Sequence, residues 1–442
     1  MNPGSQRLRL RMVLIAALGT VPIAGAAGGA TDAAAVRPAA NEQLQVLRED
    51  TRRAHDAGNM ALYVDDSRLL LEFLNGSPRG LLQLMSAAAA AGREADALDS
   101  FEQFVHMGQS DDATLSAKQF DALRSTERYR AIHAAMAAND GRIAAAAELF
   151  KFDVGPLIPE DIDYDSAVHR FYVTSVLKKQ ILSIDISGRA KIFAKAPDGW
   201  PMMAVKVDSR RRLLWATEVA LEGYIFSTPE DWGRSAVVIY DLDSGKLLQR
   251  LEGPPHSALG DMTLSASGDA IVADGDQGGV YRVGRVTRKI ERLDDGAFIS
   301  PQTPVALADG RHLLIPDYLR GIGLLDLQSK QVTWLSTQGR YALSGIDGLY
   351  LVGNTLLATQ NGTSPERVIR FALDPSLTRI EGESIIERAT FTLGDPTHGV
   401  VVGDRFYYIA NSGWDSLDEH GNIQAGKTLP RAAVMRAELG KR

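Results

Sequence analysis

The 442-residue sequence contains no cysteine. That absence excludes disulfides, thiolate zinc sites, iron–sulfur clusters, thiol nucleophiles and a cysteine-linked lipid anchor. Positive charge is also scarce: 48 Lys and Arg stand against 55 Asp and Glu, a formal net charge of −7. Such a balance lacks the basic surface that nucleic acid or an anionic membrane would select, so neither is expected as a partner. No glycine loop joins a strand to a helix, and Gly275 to Gly279 reads as a hairpin, so no nucleotide is expected, nor flavin or haem. No Gly-x-Ser-x-Gly elbow occurs. What is present is an ordinary globular balance, 45% hydrophobic and 23% charged, long enough for two or three domains.

The first residues read as an address. Arg7, Arg9 and Arg11 precede a short apolar run from Met12 to Ile23, and Ala24-Gly25-Ala26 offers small residues for cleavage. Residues 1–26 are therefore expected to be a signal peptide and the protein periplasmic or secreted. A retained anchor is the alternative, but the run is shorter than the roughly 20 residues a spanning helix needs. No stable membrane insertion is expected after cleavage. Residues 27–41 read as an Ala-rich linker.

Helical periodicity occupies residues 42–150. Leu44, Leu47, Leu62, Leu69, Leu70 and Phe73 fall at helical offsets, with Gly58 as a turn. Ser77-Pro78 reads as an N-cap followed by Pro at the first helical position. Two helices follow around Gly92, with small Ala97 beside large Phe101, and a last helix is expected from Ser116 to Ala138. The pair from about Pro78 to Gly108 resembles a tetratricopeptide unit, without the usual Trp, Tyr and terminal Pro. Such helices either bind a partner protein or cap the next domain.

Near Phe150 the pattern changes to short strands. Six apolar strands share one layout, centred on Val173, Trp215, Val272, Ile315, Ala358 and Ile409, at separations of 42, 57, 43, 43 and 51. Each ends in a small polar residue (Ser175, Thr217, Asp274, Asp317, Gln360, Asn411), which reads as structural, and a further strand usually follows. Repeats of this length predict a mainly β chain with N-terminal α structure: a six-bladed β-propeller over residues 151–442. An aromatic insertion from Glu218 to Arg234, with Tyr224, Phe226 and Trp232, either lines a ligand entrance or packs over a neighbouring blade.

The segments Pro159-Glu-Asp-Ile-Asp-Tyr-Asp, Ser300-Pro-Gln with Ala308-Asp-Gly-Arg, and Gly345-Ile-Asp-Gly-Leu-Tyr resemble the six-bladed propellers of the senescence-marker-protein, gluconolactonase and luciferin-regenerating-enzyme group. NHL-type propellers are similar in pattern. The resemblance covers about Leu157 to Leu439. It implies a divalent cation, often calcium, in a central channel, and hydrolysis of sugar lactones or related esters. The corresponding position in each repeat is Glu160, Met203, Gly260, Gln302, Asp347 and His398, each 11 to 13 residues before its strand centre. These six should ring one end of the channel.

By resemblance, Glu160, Gln302 and Asp347 are the metal ligands, and Asp347 is also the base. Gln302 stands where the group usually has Asn, one methylene shorter. Asp261 resembles the Asp of a substrate-side Asn-Asp pair whose Asn is here Gly260. His398 is a second catalytic candidate, as a base, or binds an anionic substrate group; a channel-lining structural His is the other reading. Asn361 is expected near the channel mouth as a substrate contact. Independently of the resemblance, two carboxylates and an amide oxygen are hard donors suited to calcium or magnesium. The expected partners are a small molecule in the channel and, through the helices, another protein. A non-catalytic exported binding or scaffold protein is the alternative function.

Overall fold

The computed structural model describes residues 39–440. The signal peptide and nearly all of the linker expected from the sequence lie outside the described residues. Four helices come first: α1 (Ala40–Asp56), α2 (Met60–Phe73), α3 (Pro78–Ala90) and α4 (Glu94–His106). The turns between them close through Gly58, Gly76 and Gly92, all at positive φ. Ser77 caps α3 as its sequence indicates, its side chain accepting a hydrogen bond from the Gly80 amide, with Pro78 in the first turn. Ala97 and Phe101 are both fully buried between the helices.

The single helix expected over Ser116 to Ala138 is broken. α5 (Asp112–Leu115) ends just before it, and the span itself becomes a 3-10 turn at Lys118–Phe120, α6 (Asp121–Arg124) and α7 (Glu127–Met136). Hydroxyl side chains divert the backbone. Ser125 Oγ donates to the Ala122 carbonyl at 2.8 Å, and Thr126 Oγ1 donates to the Leu123 carbonyl while accepting from the Tyr129 amide. The apolar residues are nevertheless buried together: Phe120, Leu123, Tyr129, Ile132 and Met136 share one core with α3 and α4.

Six antiparallel sheets follow, one per repeat. Blade 1 is β3 (Pro159–Asp165), β4 (Arg170–Ser175), β5 (Gln180–Ile184) and β6 (Ala190–Lys195). Blade 2 is β7 (Met202–Asp208), β8 (Leu213–Ala220), β9 (Arg234–Asp241) and β10 (Leu247–Glu252). Blade 3 is β11 (Leu259–Leu264), β12 (Ala270–Asp274), β13 (Val280–Val283) and β14 (Ile290–Arg292). Blade 4 is β15 (Val305–Ala306), β16 (His312–Asp317), β17 (Gly321–Asp326) and β18 (Val332–Trp334). Blade 5 is β19 (Ile346–Val352), β20 (Thr355–Gln360), β21 (Arg367–Leu373) and β22 (Ile380–Arg388). Blade 6 supplies β23 (Gly399–Val402), β24 (Arg405–Ile409) and β25 (Ala433–Glu438). The chain is a six-bladed β-propeller behind a helical segment.

Strand structure begins earlier than the change of period at Phe150 indicates. β1 (Ile143–Ala144) extends blade 5, and β2 (Ala146–Lys151) forms the outermost strand of blade 6, pairing antiparallel with β25 from Ala146↔Ala437 to Lys151↔Ala433. The segment just before blade 1 thus closes the ring. Phe150 and Phe152 pack there against Phe171 of blade 1 and Tyr407 and Val434 of blade 6. Closure covers a strand edge that would otherwise stay unpaired.

The helical segment packs on the propeller beside blades 3, 4 and 5. Leu44, Leu70 and Leu74 share a core with Ile299 and Leu319. Backbone bonds join Ala40 to Gly296 and Ser110 to Ser364, and Arg388 Nε donates to the Gly141 carbonyl at 2.9 Å.

Candidate functional site in the propeller channel

The innermost strands of blades 1, 2, 3 and 5 each carry a β-bulge near the start. The pairing register shifts between Pro159 and Ile162, Met202 and Val205, Leu259 and Asp261, and Ile346 and Gly348. Glu160, Met203, Gly260 and Asp347 lie within those four bulges. A bulge adds a residue opposite one partner and re-aims its side chain, which is why the same repeat position turns into the channel. The bulge amides have a repeated acceptor. Thr174, Thr217 and Thr359 on the neighbouring strands take the Asp161, Ala204 and Gly348 N–H groups at 2.9, 3.0 and 2.9 Å.

The polar strand ends satisfy backbone in the same manner. Asp317, for example, accepts from the Ile299, Ser300, Leu319 and Arg320 amides, and Asn411 Oδ1 accepts from Ala433.

A cavity of about 1350 Å³, open to solvent, occupies this end of the channel. Glu160, Met203, Gly260, Gln302 and Asp347 line it, with Asp261 and Asn361. His398 is buried beside it. Ligand atoms of Glu160, Asp347 and His398 all lie within 4.8 Å of one another. Five of the six ring positions therefore face one cavity, and the sixth touches its carboxylates.

The connections differ from residue to residue. Trp414 Nε1 donates to Glu160 Oε2 at 2.5 Å. Asn361 Nδ2 donates to Asp347 Oδ2 at 2.8 Å and to the Pro396 carbonyl at 2.9 Å, while its Oδ1 accepts from the Tyr318 hydroxyl at 3.0 Å. Asn361 therefore lies at the cavity as expected, with its amide engaged in fixing Asp347. Gln302 Nε2 donates to the Ser300 carbonyl and hydroxyl at 3.3 and 3.2 Å, which leaves Oε1 as its donor atom toward a cation.

His398 reaches across the channel from blade 6 to blade 3. Nε2 meets Asp261 Oδ1 at 2.5 Å, and Nδ1 meets the Glu160 carbonyl at 2.8 Å. A carbonyl and a carboxylate both accept, so both ring nitrogens carry protons and the ring is an imidazolium. Burial alone would depress its pKa, but the Asp261 carboxylate, with Asp161 and Asp347 beyond it, raises it to about 10. Asp261 also accepts from Thr303 Oγ1 at 2.9 Å.

The aromatic insertion of blade 2 does both things its sequence allowed. Tyr224 lines the cavity, and Phe226 is buried with Leu417 and Met203. Trp414, which the repeat spacing does not single out, stands edge-on to Tyr224 at 6.1 Å between centroids. It comes from the long excursion between β24 and β25, after the last strand centre, where no further repeat exposes its length.

Among the described residues, Glu160, Asp347 and Gln302 offer a donor set that fits a hard divalent cation: two carboxylates and one amide oxygen, with room for water. His398 is withheld from such a set by its two committed protons.

No protein-family model matches the chain, and no curated protein matches it. Solved structures similar to it include the PQQ-bound form of an aldose sugar dehydrogenase from Streptomyces coelicolor, at 13% identity and a TM-score of 0.45, covering 67% of this chain and 99% of that one. A gluconolactonase from Xanthomonas campestris is similar at 13% identity and a TM-score of 0.46, covering 68% and 93%. A likeness of this degree speaks to neither activity nor ligand. The six sheets themselves define the architecture.

Proposed function

We propose that the chain is an exported hydrolase of sugar lactones or related esters, working in the channel cavity with one divalent cation, calcium first. The reading is carried by one observation: Glu160 and Asp347, from blades on one side of the ring, bring their carboxylates together in an open cavity. Glu160, Asp347 and Gln302 would hold the cation. When bound there, such an ion polarises an acyl oxygen and acidifies a water.

Asp347 takes the proton of the attacking water as the water oxygen bonds to the acyl carbon. Asn361 holds the Asp347 carboxylate in orientation. The acyl C–O bond then breaks, the departing oxygen takes the proton held by Asp347, and a hydroxy acid leaves with Asp347 restored as a carboxylate. Asp261 remains a substrate contact on the cavity wall. His398 acts through Asp261 as a positioning residue, since a ring already protonated on both nitrogens removes no proton.

Export rests on residues 1–26, outside the described residues; no described helix is long and apolar enough to cross a membrane. The helical segment packs on the propeller through Leu44, Leu70 and Leu74 and reaches the cavity through Arg79. A second reading, ligand binding without turnover, is favoured by the His398 imidazolium, which already places a positive charge among the acidic groups.

Melting curves with calcium, magnesium and chelator, beside hydrolysis of simple sugar lactones, test the proposal. Carboxylates brought together repel without a cation, so saturating calcium should stabilise the fold, by about 2.7 kcal/mol at a hundredfold excess over Kd. No response to any cation would leave the binding reading.

A further inference from the structure

Among the described residues, Arg79 is the one basic residue lining the channel cavity; the other charged residues in its wall, among them Glu160, Asp261, Asp276 and Asp347, are acidic. It comes from the helical segment, not from a blade. It also lines a smaller adjoining cavity of about 510 Å³ with Tyr318, Leu319 and Gly362. Among the described residues nothing accepts a hydrogen bond from its guanidinium or forms an ion pair with it. Three costs fall on this side chain. A cation in the first turn of α3 opposes the helix dipole. Partial burial without a partner costs it hydration and depresses its pKa. Arg48 of α1, itself half-buried, lies close enough to repel it. An Arg fork is the group that meets carboxylate or phosphate oxygens in pairs, and an oxyanion between protein and ligand would offset all three.

We propose that Arg79, supported by Arg48, is the anion-recognition element of the cavity, binding a carboxylate or phosphate on a sugar-sized ligand. The helical segment thereby supplies the cationic group of a ligand site otherwise built by the propeller. Tyr318 lines the wall with Arg79 and bonds Asn361, which bonds Asp347. The anion site and the Asp347 carboxylate thus lie in the wall of one cavity. Identification of the ligand as a lactone or ester rests on the hydrolase reading; the anion site does not.

Calorimetric titrations of the full chain in chelator, with glucose, gluconate and gluconate 6-phosphate, test the site. The wild type should bind at least one anionic probe about tenfold or more tighter than glucose, and the tighter of the two identifies the oxyanion. Arg79→Gln should erase that preference, and Arg79→Lys should keep part of it. Arg48→Gln, which leaves the cavity wall intact, should weaken the anionic probe severalfold and guards against a folding defect in the Arg79 variants. No anionic preference in the wild type, or its survival in Arg79→Gln, overturns the proposal. The measurement needs neither cation nor turnover, so loss of the calcium response would remove the hydrolase reading and leave this result standing.

Discussion

Two arcs of one ring hold different chemistry in the same place. On blades 5, 6 and 1 the ring position carries Asp347, His398 and Glu160, whose ligand atoms cluster within 4.8 Å. On blades 2, 3 and 4 it carries Met203, Gly260 and Gln302. The backbone does not distinguish the arcs, since bulges occur in blades 1 and 5 and equally in blades 2 and 3. Repetition of the blade therefore fixes where a side chain enters the channel, and only the residue type decides what it does there. The His398–Asp261 pair ties the arcs together, polar to apolar, across the channel.

The polar arc is also the arc that contains the seam. β2 closes blade 6 beside blade 1, so breaking the seam should disturb Glu160 and His398 before Met203 or Gln302. The largest effect follows from that. A chain beginning at Leu157 loses β2 with buried Phe150 and Phe152, each worth about 3–5 kcal/mol as a truncation to Ala. It should be insoluble or lack a cooperative melting transition. A chain beginning at Gly141 keeps the strand and should be the better folded of the two. Equal melting of both would show that the seam is dispensable.

Next in size is chemistry confined to one arc. Asp347→Asn should lower lactone turnover on the order of 10²–10⁴-fold by removing the proton acceptor and a ligand charge. Met203→Leu conserves volume at the equivalent bulge and should cost under about 1.5 kcal/mol in stability, with turnover nearly unchanged. Steady-state kinetics on both variants separate the arcs. Comparable losses would mean that position in the ring, not residue type, governs the site.

The fold was legible because a blade repeats: strands centred on Val173, Trp215, Val272, Ile315, Ala358 and Ile409 all fall within the second strand of a sheet. The ring residues were legible for the same reason, although the bulge that aims them was not. β2 was hidden, because Ala146 to Lys151 continues an Ala-rich helical region and finds its partner only at the far end of the chain. Trp414 lies beyond the last repeat interval, and Arg79 carries no propeller signal at all. The choice of protons on His398 depends on Asp261 and the Glu160 carbonyl, contacts between blades that no local pattern encodes.

A smaller effect should come from the one ring position of the second arc that offers a donor atom, Gln302. Gln302→Asn shortens the side chain and releases its amide from Ser300. If the longer chain is what weakens the donor set, calcium should bind about tenfold tighter, worth about 1.4 kcal/mol in the calcium-dependent melting shift. An unchanged shift would mean that Glu160 and Asp347 alone determine cation affinity.

A last effect concerns a carboxylate buried within blade 2, away from the cavity. Glu218 accepts from the Asp198 amide at 3.2 Å and lies 3.5 Å from Arg250 Nε. Burial raises its pKa to about 7, with the Asp198 charge adding and the Asp198 amide and Arg250 opposing. A carboxyl raised on folding binds its proton more tightly in the native state than in the unfolded one. Its contribution is fully present below the unfolded pKa near 4.5 and is lost as pH rises through about 7. Between those values stability should fall with pH, by at most about 1.4 kcal/mol per unit for one proton. Glu218→Gln keeps the shape and acceptor but cannot ionise, so its urea midpoint should vary less over pH 5–8 and should overtake the wild type toward the alkaline end. Parallel pH profiles for the two proteins would place the charge of Glu218 on Arg250 as a satisfied ion pair.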